Sequence, residues 1–137
     1  MTKTILKDFL NIGKYFLFPI FIFVFDLIAW LYLGLYDIWP WFDIPMHFLG
    51  GVAIGSSFFF SLNYFRIENI IKLNYFFSIF FVVSLVALIA VLWEFFWFLI
   101  GFFLPIVPLA SLEDTLLDLA LGLFGGLFMA IILEKLV

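Results

Sequence analysis

Residues 75–104 read YFFSIFFVVSLVALIAVLWEFFWFLIGFFL, an apolar run with one carboxylate, Glu94, and no Lys, Arg or His. As a helix at about 1.5 Å per residue it extends about 45 Å, more than the roughly 30 Å hydrocarbon core of a bilayer. Such a run crosses a membrane, and its excess length predicts that it tilts, protrudes or ends near Gly101. Three further apolar runs accompany it, over residues 14–35, 44–64 and 112–133. The breaks are 36–43 (with Trp39, Pro40 and Trp41), 65–74, and 105–111 (with two prolines). Short connections of this kind make sequential helices antiparallel neighbours. The chain therefore reads as all-α, a polytopic membrane protein whose residues 1–137 form a single four-transmembrane-helix bundle.

Composition narrows the functional classes. Hydrophobic residues make up 68% of the chain and charged residues 12%, outside the range of soluble domains. Cysteine is absent, which excludes disulfides and thiolate metal sites. The six Lys and Arg form no run that tracks phosphates, so the expected partner is the lipid bilayer and not nucleic acid. They stand at 3, 7, 14, 66, 72 and 135, leaving the loops 36–43 and 105–111 without any. By the positive-inside rule both termini and the 65–74 loop are cytoplasmic, in a cytoplasmic (inner) membrane, and Trp39 and Trp41 anchor the outer interface. Lys3 and Lys7 without a small-residue cleavage site suit a retained start, not a signal peptide. Ile5, Leu6, Phe9 and Leu10 suit an interfacial segment.

Against this apolar background two stretches share a four-residue rhythm: Asp43, His47, Gly51, Gly55, and Asp114, Asp118, Gly122, Gly126. Residues four apart form one ridge of a helix, so each stretch stacks two polar groups above two glycines. The glycine pairs are small-x-x-x-small ridges that let helices approach closely. With the expected topology Asp43 and His47, Asp114 and Asp118, and Glu94 of the outward-going third helix all face one pocket on the extracytoplasmic side. The order of elements also suits two duplicated hairpins, Asp26 and Trp30 in the first matching Glu94 and Trp97 in the second.

An ionisable group in a span costs roughly 2.5–3.5 kcal/mol on insertion scales and asks for a reason. Capping is one: Asp114 follows Ser111 by three, a capping-box arrangement, and Asp43 before Ile44 and Pro45 suits an N-cap. His47 and Asp118 lie a turn deeper, beyond capping, and either functional or hydrogen-bonding core roles suit them. Glu94 between Trp93 and Phe95 has only a protonated structural acid as its bland alternative. Asp26, without an ionisable neighbour in sequence, suits that structural role. Arg66, Glu68, Lys72, Glu134 and Lys135 read as interfacial charges.

All Lys and Arg lie on the other side, so the cluster has no cationic side chain except His47 when protonated. Buried carboxylates in that position take up protons or bind a cation. A divalent ion held by His47, Glu94, Asp118, Asp114 and Asp43 satisfies them, and oxygen ligands with one imidazole suit Mg, Mn or Zn.

The pattern Asp43-x-x-x-His47-Phe48-x-x-Gly51, then Trp93-Glu94, then Asp114-Thr115-x-x-Asp118-x-x-x-Gly122 resembles the motifs of the YjdF-like inner-membrane proteins and, more distantly, the VanZ-like family. The resemblance covers the last three helices. The YjdF-like pattern has a second acid where this chain has Trp97, and VanZ-like proteins typically have Lys, Gln and Asn where this chain has Ile44, Trp97 and Asp118. It implies a membrane protein linked to the cell envelope and names no reaction.

The leading expectation is a small membrane enzyme acting from the outer leaflet on a lipid or lipid-linked envelope substrate. Glu94 serves as metal ligand or general base, His47 and Asp118 as ligands or acid–base partners, and Asp43 and Asp114 complete the shell. The alternatives are a non-catalytic protein that binds or passes a cation or proton, and a structural factor whose acids are hydrogen-bonding glue. Permeation needs a polar line continuing inward, for which the second span offers only Ser56, Ser57, Ser61 and Asn63.

Overall fold

The computed structural model describes residues 8, 10–104 and 109–137. Lys3, Ile5, Leu6, Lys7, Phe9 and the two prolines of the third loop lie outside the described residues. The fold is all-helical, with no strand among the described residues. A 3-10 turn, Lys14–Phe16, leads into α1, Leu17–Leu31; a short α2, Leu35–Ile38, and a second 3-10 turn, Pro40–Phe42, precede α3, Asp43–Ile67. Then follow α4, Tyr75–Phe103, and α5, Leu112–Leu136. Four helices are long and apolar enough to cross a membrane: Leu10–Leu31, Pro40–Ile67, Tyr75–Phe103 and Leu112–Leu136. Gly101 does not stop α4, because its backbone ladder continues to Phe103.

The ends of the helices are written locally. Asn74 caps α4, its side-chain oxygen accepting from the Phe77 N–H at 2.9 Å, and Ser111 caps α5 by accepting from the Asp114 N–H at 3.1 Å. At the end of α3, Ile70 N–H bonds the Phe65 carbonyl and Asn69 N–H the Arg66 carbonyl, with Asn69 at φ 55°. That is a Schellman stop with asparagine in the left-handed position glycine usually takes. Gly34, at φ 58°, gives α1 the equivalent freedom to turn into α2.

Glycine decides how the bundle closes. A Cβ on Gly51 would land on the Gly122 carbonyl oxygen, and one on Gly55 would lie 3.1 Å from Gly126 Cα. α3 and α5 therefore run side by side, backbone against backbone, in the same direction. His47 meets Asp118 in the same register, each pair offset by the same number of positions. Gly125 extends the seam against the Phe48 carbonyl, while a Cβ on Gly126 would also strike Val86 Cγ1 at 2.7 Å, so α4 packs on the other flank of α5. Without a hydrophobic force between helices in lipid, this close van der Waals approach is what holds them. α1 packs mainly on α3.

Toward the C-terminal ends of α3 and α5, Phe59, Leu62, Val82, Val86, Ala130 and Leu133 form the buried apolar cluster. Beyond it Arg66 makes a two-pronged pair with Glu134, both N···O distances 2.9 Å, and the Ser78 hydroxyl donates to the same carboxylate at 2.8 Å. Arg66 and Glu134, read from the sequence as interfacial charges, are thus paired and largely buried. Ser57 donates to the Tyr15 carbonyl at 2.6 Å and to Ala53, satisfying a backbone acceptor where the 3-10 turn interrupts the first helix. Ser56 and Ser61 likewise bond the Val52 and Ser57 carbonyls.

Candidate functional site

The α3/α5 seam carries its polar groups at the end opposite Arg66 and Glu134. His47 Nε2 lies 3.2 Å from Asp43 Oδ1, one turn earlier on α3, and 3.5 Å from Asp118 Oδ2 across the seam. One nitrogen thus faces two carboxylates from two helices. Asp118 is the most deeply placed, 6% exposed, with the first glycine pair directly below it. The backbone approach that those glycines permit is what brings the two helices' polar groups within reach. One ligand atom from each of Asp43, His47 and Asp118 lies within 4.8 Å of the others, close enough to share a cation.

Asp43 is not an N-cap. It is the first residue of α3 in helical conformation, Phe42 occupies the cap position without a side-chain bond, and the Asp43 carboxylate turns to His47. Asp114 is exposed and stands apart from the cluster, in the first turn of α5 with its N–H on the Ser111 cap. It and Asp118 share a ridge, yet α5 buries that ridge only from Asp118 downward. Glu94 also falls outside the tight group. Half-buried on α4, it lines the same cavity as His47 and Asp118.

The residue that the sequence undervalued is Asp26. It accepts a short hydrogen bond from the Tyr36 hydroxyl and lines the same cavity as His47, Glu94 and Asp118. A signal was present: Asp26 lies five residues from the end of α1, a depth of about 7.5 Å, close to that of His47 below the start of α3. Tyr36, in the connection between the first two spans, has its ionisation pushed up, first by burial and then by its bond to Asp26, so it remains a donor. Removing this hydroxyl leaves the carboxylate without its donor. Tyr36→Phe is expected to cost about 1.5 kcal/mol in chemical unfolding in detergent, and nothing further in an Asp26→Asn background. Equal losses in both backgrounds would mean the pair is not coupled.

The cavity holds about 430 Å³ and draws walls from α1, α3, α4 and α5. One end carries the polar side chains Asp26, Tyr36, His47, Glu94 and Asp118; the other is apolar, from Trp93 and Ile89 down to Phe58 and Phe16. A second, shallower depression of about 570 Å³ lies beside Arg66, Lys72 and Glu134, where the Arg66 and Glu134 charges already neutralise each other.

The fold and site together define an integral membrane protein built from four spanning helices around an acid–imidazole cluster. The chain belongs to the family described as Predicted membrane protein (DUF2238), whose pattern matches residues 7–137. This membership agrees with the YjdF-like resemblance of its motifs. No curated protein and no solved structure matches the chain.

Proposed function

We propose that this protein binds a divalent cation between Asp43, His47 and Asp118 and uses it on a phosphate-bearing lipid or lipid-linked envelope substrate at the outer leaflet. The observation that carries the reading is the convergence of two carboxylates from different helices, each long and apolar enough to cross a membrane, on one imidazole nitrogen. Two carboxylates beside one imidazole hold more negative charge than the histidine balances, and among the described residues the charged side chains facing them are Asp26 and Glu94, also acids. A divalent ion neutralises that excess, and a donor set of two carboxylates and one imidazole suits Mn or Zn, with Mg also compatible. Bound there, the ion supplies Lewis-acid polarisation of a phosphoryl oxygen. Glu94, on the cavity wall outside the group, is then free to hold or move a proton, and Asp26, held by Tyr36, adds a further carboxylate to the polar end of the cavity. The VanZ-like likeness and the absence of Lys and Arg from the first and third loops support an envelope-facing site with both termini cytoplasmic.

The serines offered as a polar path inward have their hydroxyls engaged with backbone carbonyls. This disfavours permeation and leaves a closed-ended pocket.

Elemental analysis of detergent-purified protein, stripped with chelator and reloaded, tests the reading. About one metal per chain is expected in the native protein, with more than tenfold weaker retention in Asp118→Asn and His47→Ala and retention in Glu94→Gln. A native protein that holds no metal under any loading condition overturns it.

A further inference from the structure

One glycine of α3 does not belong to the seam. Gly50 lines the cavity just below His47, and a Cβ built on it meets nothing within 4 Å, whereas its neighbour Gly51 has no room at all. Glycine inside a helix is unfavourable relative to alanine, so its place here is not explained by packing. It keeps the cavity wide where the polar end passes into the apolar one.

The cavity has the dimensions of one leaflet. From His47 to Phe58 along α3 is about 16 Å, half of a hydrocarbon core of roughly 30 Å. Phe16 and Phe58 close the deep end edge to face, ring centroids 5.4 Å apart. The side between α1 and α4 is joined through aromatic ring contacts, Phe23 to Trp93 at 5.5 Å and Trp30 to Trp97 at 5.2 Å, while the close helix-to-helix packing lies elsewhere. Ile20 on the α1 wall remains 55% exposed. At this depth the surrounding medium is hydrocarbon, so what reaches an apolar slot from the side is a lipid chain.

We infer that the cavity is a binding slot for one hydrocarbon chain, admitted between α1 and α4, of an amphiphile whose phosphate head lies at the Asp43–His47–Asp118 cluster. The head assignment rests on the cation proposed above, since an anionic phosphate needs that charge to approach four carboxylates. The chain assignment rests on the slot alone. Its volume of about 430 Å³ lies in the range of small-ligand sites and below what a two-chain lipid fills.

The full-length protein in phosphatidylglycerol–phosphatidylethanolamine vesicles is labelled with dodecyl phosphate bearing a terminal diazirine, and adducts are mapped by mass spectrometry. Adducts are expected on Ile54, Phe58 and Ile89, reduced at least about tenfold in Gly50→Leu. Competition by a polyprenyl phosphate or by a lysophosphatidic acid tells which chain the slot prefers. Adducts confined to the outward-facing Phe76 and Phe80 overturn the slot, and this mapping on the native protein decides even if Gly50→Leu does not fold. Metal bound without slot adducts leaves the cation reading standing and removes this one. Slot adducts without metal keep the chain site and remove the phosphate head.

Discussion

Replacing Gly51 with alanine lowers unfolding stability in detergent by about 3 kcal/mol, while the same change at Gly50, one residue earlier, leaves it unchanged or raises it by about 0.5–1 kcal/mol. The two positions share a helix and a composition and differ in what lies opposite. The Gly51 Cβ would coincide with the Gly122 carbonyl oxygen, a backbone atom that no rotamer change removes. Only separation of α3 from α5 relieves the clash, and separation forfeits the contacts at Gly55, Gly125 and Gly126 as well. The Gly50 Cβ enters open space, so the substitution acts through backbone entropy alone. Urea or SDS unfolding followed by tryptophan fluorescence reads both. Equal effects at the two sites would disprove the seam as described. Because His47 and Asp118 sit directly above the Gly51–Gly122 contact, Gly51→Ala is also expected to loosen cation retention more than a distant core substitution of equal stability cost.

The second large effect lies at the opposite end. Glu134→Ala is expected to destabilise the bundle by about 3–5 kcal/mol, more than the loss of one ordinary hydrogen bond. The carboxylate serves two N–H donors of Arg66 and the Ser78 hydroxyl, and the side chains of Arg66 and Glu134 are 16% and 8% exposed. Its removal strands a guanidinium inside the protein, and desolvation of an unpaired charge costs more than the pair itself contributes. Arg66→Met combined with Glu134→Leu should therefore recover much of the loss, because it removes both charges at once. A double variant no more stable than Glu134→Ala would refute this account.

Why some features were legible and others not follows from the physics of each. The four spans show in the sequence because charge is so costly in hydrocarbon that a run such as 75–104, with Glu94 as its one charged residue, admits few explanations. The i, i+4 ridges of α3 and α5 are equally visible, since helical periodicity alone places Asp43, His47 and the glycines on one face. The rotation of each helix about its own axis is not written that way. It decides that the Asp118 ridge faces α3, and it depends on which flank of α5 meets α3 and which meets Val86 of α4; how far up that ridge the burial reaches, leaving Asp114 exposed one turn above Asp118, is set by the packing as well. Asp26 needed knowledge that α1 packs on α3, a contact no local pattern encodes, and Arg66 finds Glu134 across 68 positions for the same reason.

The glycine seam has a consequence for the order in which the protein is made. α3 and α5 are not consecutive, and α4 must be threaded between their synthesis. Until α5 leaves the translocon, the small-residue face of α3 has only lipid against it, and Asp43 and His47 lack their third member. α5, made after α3 and α4, thus completes both the scaffold and the polar cluster in a single docking event. A chain halted before α5 would therefore hold three inserted helices with neither the Gly51–Gly122 contact nor the Asp118 member of the cluster.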